Sequence, residues 1–441
     1  MRQKIIHNCW LLAAGLALLT AAICNGYPLV YSDTATYLAS GFELETPADR
    51  PITYGLFLRL ASFNGFSLWI PVLLQSVLLV WLIARLAALL GYEQAYRVSF
   101  LAVIFCVLTS GVSWVSSQLI ADLFTPMLIL LWAIVLLDKK ASVKRQAFYG
   151  FLVFFVSCMH MSHFVMSLLF AVCALLLMPL KALRPYLNFK KIALIALFSG
   201  ASFLVFSAAY SKYHNVFLVA RLAETGILKQ MLNDKCQQAD LCLCAYKDSL
   251  PDNAVDFLWK DNSPLKKCGG YSAVKSEFKK ITQACFSESQ YRNRFMAAGA
   301  KDTWRQFARF GIGDGNGVFM SGTLLQQRIR KYAPGDAGAY EHSRQQQGRL
   351  PGLDGINRYL VISALLIVAL LLACILWIGA TSEMITLCLL AAAGILINNF
   401  VCAAFSAVSE RYGCRVMWLL NLLLILLLMK NEKISKLYKK K

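Results

Sequence analysis

Ten apolar runs, near residues 8–28, 67–90, 97–117, 120–137, 148–160, 163–180, 191–210, 357–378, 384–405 and 413–430, leave this chain few ways to fold. A helix needs about 20 apolar residues to cross the hydrocarbon core, and only a helix or a closed barrel satisfies its backbone there. Of the 441 residues 58% are hydrophobic and 15% charged, which excludes an ordinary soluble domain. The expectation is an all-α polytopic membrane protein with about ten transmembrane helices. A formal net charge of +20 would suggest nucleic acid in a soluble chain. Here much of the Lys and Arg clusters at helix ends, so the expected partner is the lipid bilayer and no nucleic acid.

Charge then sets the orientation. Lys139, Lys140, Lys144 and Arg145, then Lys181, Arg184, Lys190 and Lys191, and the terminal run from Lys430 to Lys441 share one side if the N-terminus is there too. The positive-inside rule makes that side cytoplasmic, in the cell's inner membrane. Met1 to Lys4 resemble a signal-peptide start, but no small-x-small cleavage site follows, so the first helix is expected to stay. Residues 148–180 are too long for one ordinary span, and two helices breaking at His160-Met-Ser-His163 keep the charge arithmetic intact.

Four units result: an N-terminal transmembrane module of about seven helices (1–210) with its first external loop at 29–66, a large extracytoplasmic domain (211–356), a C-terminal module of about three helices (357–430) and a basic cytoplasmic tail (431–441). The external segment can bury a small core of its own, with Phe257-Leu-Trp259, Tyr271 and Phe286 as candidates. Its five cysteines, Cys236, Cys242, Cys244, Cys268 and Cys285, are disulfide candidates in an oxidising compartment. Five is odd, so at least one stays free or pairs elsewhere, and the connectivity cannot be read. Gly311-Ile-Gly-Asp-Gly-Asn-Gly317 looks like a phosphate loop, but it lacks a framing strand and a Walker lysine, so it is expected to be a flexible loop.

The unusual polar residues converge on the outer side. Asp33, Asp49 and Arg50 lie in the first loop, Gln118 and Asp122 in an outer turn, His160 and His163 at the break, and Glu410, Arg411 and Arg415 before the last span. Ionisable groups at a membrane boundary are costly unless paired or used, so the pattern suggests an outward-opening cavity. Asp33, flanked by Ser32, Thr34 and Thr36, suits a general base; Ser-Asp-Thr equally suits a helix cap. Arg50, Arg411 and Arg415 suit a phosphate, with an ion pair or loop anchor as the alternative for Arg50 and snorkelling as the alternative for Arg411 and Arg415. Asp49, Asp122, His160, His163 and Glu410 are acid/base or metal candidates. A divalent metal is the one cofactor considered, and it stays open because the acids show no diagnostic ligand spacing.

An N-terminal helix, an external Ser-Asp-x-x-x-Tyr loop, Arg50-Pro51, Tyr54-Gly-Leu-Phe-Leu58 and Arg411-Tyr412 before the last apolar helix resemble the GT-C superfamily of integral membrane glycosyltransferases. Nearly the whole chain resembles a group of bacterial membrane proteins sharing the Tyr-Pro-Leu-Val-x-Ser-Asp opening and the His-x-Ser-His break. GT-C resemblance implies transfer of a sugar from a polyprenyl-phosphate donor to a lipid, glycan or protein acceptor on the extracytoplasmic face. It also implies Asp33 as the reaction-centre acid, and it suggests Arg50 and Arg411 for the donor phosphate. The chain departs from the pattern in having no second acid beside Asp33. The rival expectations are a transporter or flippase of a lipid-linked or anionic substrate, and a non-catalytic envelope assembly protein. No oligomeric state, donor sugar or acceptor follows from the sequence.

Overall fold

The computed structural model describes residues 2–47, 50–180, 183–212, 216–236, 241–320, 322–378 and 380–430. Asp49 and the basic tail lie outside the described residues. Its principal helices are α1 (Arg2–Leu18), α2 (Ser32–Glu43), α3 (Thr53–Ala61), α4 (Trp69–Leu89), α5 (Ala95–Thr109), α6 (Phe124–Leu137), α7 (Val143–Met159), α8 (Met161–Leu177) and α9 (Phe189–Lys212). They continue with α10 (Val216–Glu224), α11 (Tyr271–Ser287), α12 (Ser289–Phe307), α13 (Leu353–Ala373), α14 (Ser382–Phe405), α15 (Glu410–Met417) and α16 (Leu419–Lys430). Among the described residues there is no strand, and the extended pairing is a single bridge between Leu29 and Gln118.

Among the described residues four helical stretches are long and apolar enough to cross a membrane: Trp69–Leu89, Leu353–Trp377, Ser382–Phe405 and Glu410–Lys430. Apolar helices of 10–17 residues follow four of the other runs, at Ile5–Leu18, Ala95–Thr109, Ala121–Leu137 and Met161–Leu177. The ten runs therefore form helices, but fewer than ten reach the length of an ordinary span. On α13, Val361, Ile362, Leu365 and Leu366 point outward and are exposed. A stripe of aliphatic side chains this long needs a cover such as lipid, which fits a membrane protein.

The bundle is built around α6. Every residue from Phe124 to Leu137 is buried, as expected of a helix that is apolar on all faces. It packs against α4, α7 and α14. The long run over 148–180 is two helices of 17 residues each, meeting at His160. There the backbone is extended (φ −147°, ψ 137°) and the His160 side chain caps α8. Near this break α2 and α3 pack so closely that a Cβ on Gly41 would sit 2.0 Å from the Gly55 carbonyl oxygen. Only glycine permits that approach.

The segment expected to form one external domain divides. Residues from Val216 to Phe295, with Leu228, Phe257, Phe278 and Tyr291 inside, form a second core, clipped by the disulfides Cys236–Cys244 and Cys242–Cys268. Cys285 is free and buried in it. Helix α12 lays this unit along α14. The following stretch instead returns to the main core through Ile312, Leu325, Ile329 and Tyr340. Of the core candidates, Phe257 is fully buried, whereas Trp259 and Phe286 are 50% and 41% exposed.

Candidate functional site

Asp33 is carried to the bundle end by backbone pairing. The Leu29 amide donates to the Ser117 carbonyl at 2.8 Å, and the Leu119 amide donates to the Leu29 carbonyl at 2.9 Å. The Thr34 hydroxyl accepts from the Tyr31 amide at 3.0 Å and donates to the Leu119 carbonyl at 3.1 Å. These bonds fasten the start of α2 beside the turn that bears Asp122. Tyr31 occupies the N-cap position and Asp33 the first turn, so neither Ser32 nor Asp33 is the cap that the local sequence allowed. The Asp33 carboxylate faces arginines instead.

Five charges then alternate. Asp33 Oδ1 lies 3.0 Å from Arg50 Nη1, and its Oδ2 accepts from Arg411 Nη1 at 3.0 Å. Arg411 is also bonded through Nε to Asp122 Oδ2, and its Nη2 donates to Asp122 Oδ1 at 3.4 Å. Asp122 Oδ1 in turn accepts from Arg415 Nη1 at 3.0 Å. Arg415 is fully buried, with Nη2 donating to Asn398 Oδ1 at 2.8 Å and lying 3.0 Å from Cys402 Sγ. Asp122 is 1% exposed. The string thus runs from a partly open end at Asp33 to a sealed end at Arg415. Burial alone would raise the Asp33 carboxyl; the Arg50 and Arg411 guanidiniums outweigh it and hold it below the usual carboxylate range. Tyrosine faces support the cations, with Tyr31 4.4 Å from Arg411 and Tyr37 5.1 Å from Arg50.

A cavity of about 940 Å³ lies over the open end, between the bundle and the second core. Asp33, Arg50, His160, Glu410 and Arg411 line it, facing an aromatic rim that includes Trp259, Tyr271 and Phe286. Arg415, Asp122 and His163 do not line it. Arg415 sits one turn further along the helix than Arg411 and is sealed in, so it is not placed to meet a phosphate. His163 has its Nε2 2.9 Å from the Thr125 hydroxyl and its Nδ1 2.8 Å from the Val156 carbonyl. Both ring nitrogens are committed, which leaves neither for a metal or a proton relay. His160 Nδ1 is held by Ser162 at 2.8 Å.

Glu410 is an anchor: it accepts from Arg309 at 3.0 Å and from the Gly311 amide at 2.7 Å. The glycine-rich loop is bonded at its start to Glu410 and Asn357. Gly315 holds φ +72°, and a Cβ there would run into the Tyr31 ring. Asp314, which the sequence did not single out, bonds Ser409 and accepts from the Arg411 amide at 3.3 Å.

A metal does not fit these residues. The oxygens of Asp33 and Asp122 are taken by guanidiniums, and among the described residues no three His, Cys, Asp or Glu side chains converge. Comparison with protein-family models, curated proteins and solved structures finds no match to this chain.

Proposed function

We propose that the protein is a membrane glycosyltransferase of the GT-C type, moving a sugar from a polyprenyl-phosphate donor to a lipid, glycan or protein acceptor. The observation that carries this is the cavity in which Asp33 stands between Arg50 and Arg411. In such a transfer the acceptor hydroxyl attacks the anomeric carbon, its proton passes to Asp33, and the sugar–phosphate bond breaks toward phosphate. Arg50 and Arg411 then hold the charge on the departing group. The aromatic rim offers flat, amphipathic faces for a sugar or an acceptor.

The proposal includes a ten-span topology with both termini cytoplasmic and the cavity extracytoplasmic, in the cytoplasmic membrane. Two disulfides in the second core fit an oxidising side. At the opposite end of α6, Lys191 reaches the Leu136 and Asp138 carbonyls, Arg85 and Arg145 reach Asp138, and Lys139 lies over Tyr186. That gathering of cations fits a cytoplasmic side.

The test is chemical. Cells carrying Asp33→Asn at normal protein level are expected to accumulate lipid-linked sugar and to lose the glycan that a deletion strain loses. Asp33→Asn cells that match wild type, beside a deletion strain with a defect, would remove the catalytic role.

A further inference from the structure

Four arginines line the cavity; Arg305 meets Asp302 and Arg309 meets Glu410, while Arg50 and Arg411 both meet Asp33. Arg411 is fixed from behind: its Nε edge is bonded to Asp122, which is in turn held by the sealed Arg415. Its other edge, Nη1, and the Nη1 of Arg50 both meet the carboxylate of Asp33. Asp33 is the more open partner, with 21% of its side chain exposed against 1% for Asp122. It is attached at the first turn of a short helix through a side chain with only two torsions. Arg50 and Arg411 both line the cavity, so drawing Asp33 aside would turn the guanidinium edges it now meets toward that space. The acids next to Arg411 are engaged elsewhere, Glu410 by Arg309 and the Gly311 amide, Asp314 by Ser409 and the Arg411 amide.

We propose that Asp33 is a resident anion. It occupies, between Arg50 and Arg411, the place that a ligand's phosphate takes, and phosphate binding displaces it while Asp122 keeps Arg411 in position. This rests on the reading of the cavity as a phosphate site, and it gives that site a regulation. A carboxylate clamped by two guanidiniums is a poor proton acceptor, and one released by the incoming phosphate recovers ordinary basicity. The general base is then available only when the donor is in place, which protects against action on an acceptor alone. Arginine suits the exchange because its planar fork receives carboxylate and phosphate oxygens in the same geometry. Asp122, sealed beneath, is not displaceable in this way, since removing it would strand a buried Arg415.

The full chain, purified in detergent, decides this by titration with inorganic pyrophosphate and, separately, with a polyprenyl phosphate. Asp33→Asn is expected to bind the phosphate probe about tenfold more tightly than wild type, because the competing carboxylate is gone, and Arg411→Gln to lose binding at least tenfold. Tightening for both probes marks a free-phosphate site; tightening for the polyprenyl probe alone marks a lipid one. A second measurement needs no variant: wild-type protein given saturating probe should show a carboxylate infrared band shift. Asp33→Asn binding equal to or weaker than wild type with an unchanged unfolding temperature, or probe binding to wild type with no band shift, overturns the proposal. Tightened binding together with unaltered lipid-linked sugars in Asp33→Asn cells would sink glycosyl transfer and leave the displacement standing.

Discussion

Helix α6 carries an aspartate at each end, and the two are answered differently. Asp122, just before its N-terminus, is sealed between Arg411 and Arg415. Asp138, just after its C-terminus, is met by Arg85 at 2.6 Å, Tyr149 at 2.9 Å and Arg145 at 3.4 Å. A carboxylate is favoured at a helix N-terminus and disfavoured at the C-terminus, so Asp138 needs its cations while Asp122 is helped by its own helix. Its partners Arg85 and Arg145 are 25% and 46% exposed, and none of these residues lines the large cavity. The same residue types thus make a clip at one end and a candidate site at the other. What separates them is enclosure: guanidiniums walled by tyrosine rings beside a cavity, against guanidiniums that also meet solvent.

The largest difference is expected in stability. Asp122→Ala leaves the buried Arg415 without its carboxylate and should cost roughly 3–5 kcal/mol. Asp138→Ala should cost about 1–2 kcal/mol, since Arg85 and Arg145 can turn to solvent and only the buried Tyr149 hydroxyl loses an acceptor. Thermal unfolding in detergent measures both, and equal losses would break the contrast between a sealed and an open ion cluster. Next in size is a functional asymmetry between arginines. Arg411→Lys keeps the charge but not the fork and should weaken pyrophosphate binding by about tenfold. Arg85→Lys should leave that binding unchanged. A matching loss in both variants would mean that long-range charge, not local geometry, draws the anion.

The sequence exposed this contrast only in part. Apolar runs fixed where the helices are, and polar residues at their ends marked Asp33, Arg50, His160 and Arg411, because an ionisable group at a membrane boundary is conspicuous whatever its partners. Depth was not legible. Arg411 and Arg415 are four residues apart and share a helix face, yet one turn, about 5.4 Å, separates a cavity wall from a sealed interior. His160 and His163 divide likewise, one capping a helix beside the cavity and one locked between Thr125 and Val156. Asp314 was hidden by its setting, since a glycine-rich stretch reads as flexible until Tyr31 and Arg411 are seen against it. The split of 211–356 had the same cause: amphipathic helices show that they bury a face, not which core receives it.

The smallest expected effect concerns acid. Burial would raise the carboxyl of Asp138, but hydrogen bonds from Arg85 and Tyr149 outweigh it and hold it below the usual range, as Arg50 and Arg411 do for Asp33. Both groups titrate lower in the folded chain than in the unfolded one. Each therefore contributes stability that is present above the unfolded value, near pH 4, and is lost as the pH falls through the folded value. Unfolding temperatures from pH 6 down to pH 3 should fall in wild type and fall less in Asp33→Asn and in Asp138→Asn. Sulfate, which stays ionised over that range, then separates the two ends. If it replaces Asp33 between the arginines, Asp33 loses the interaction that depressed it, and sulfate flattens the acid dependence of wild type and of Asp138→Asn but not of Asp33→Asn. General salting-out by sulfate raises all three curves together, so only a change in slope counts. A slope that changes alike in all three proteins would show that the anion does not meet Asp33.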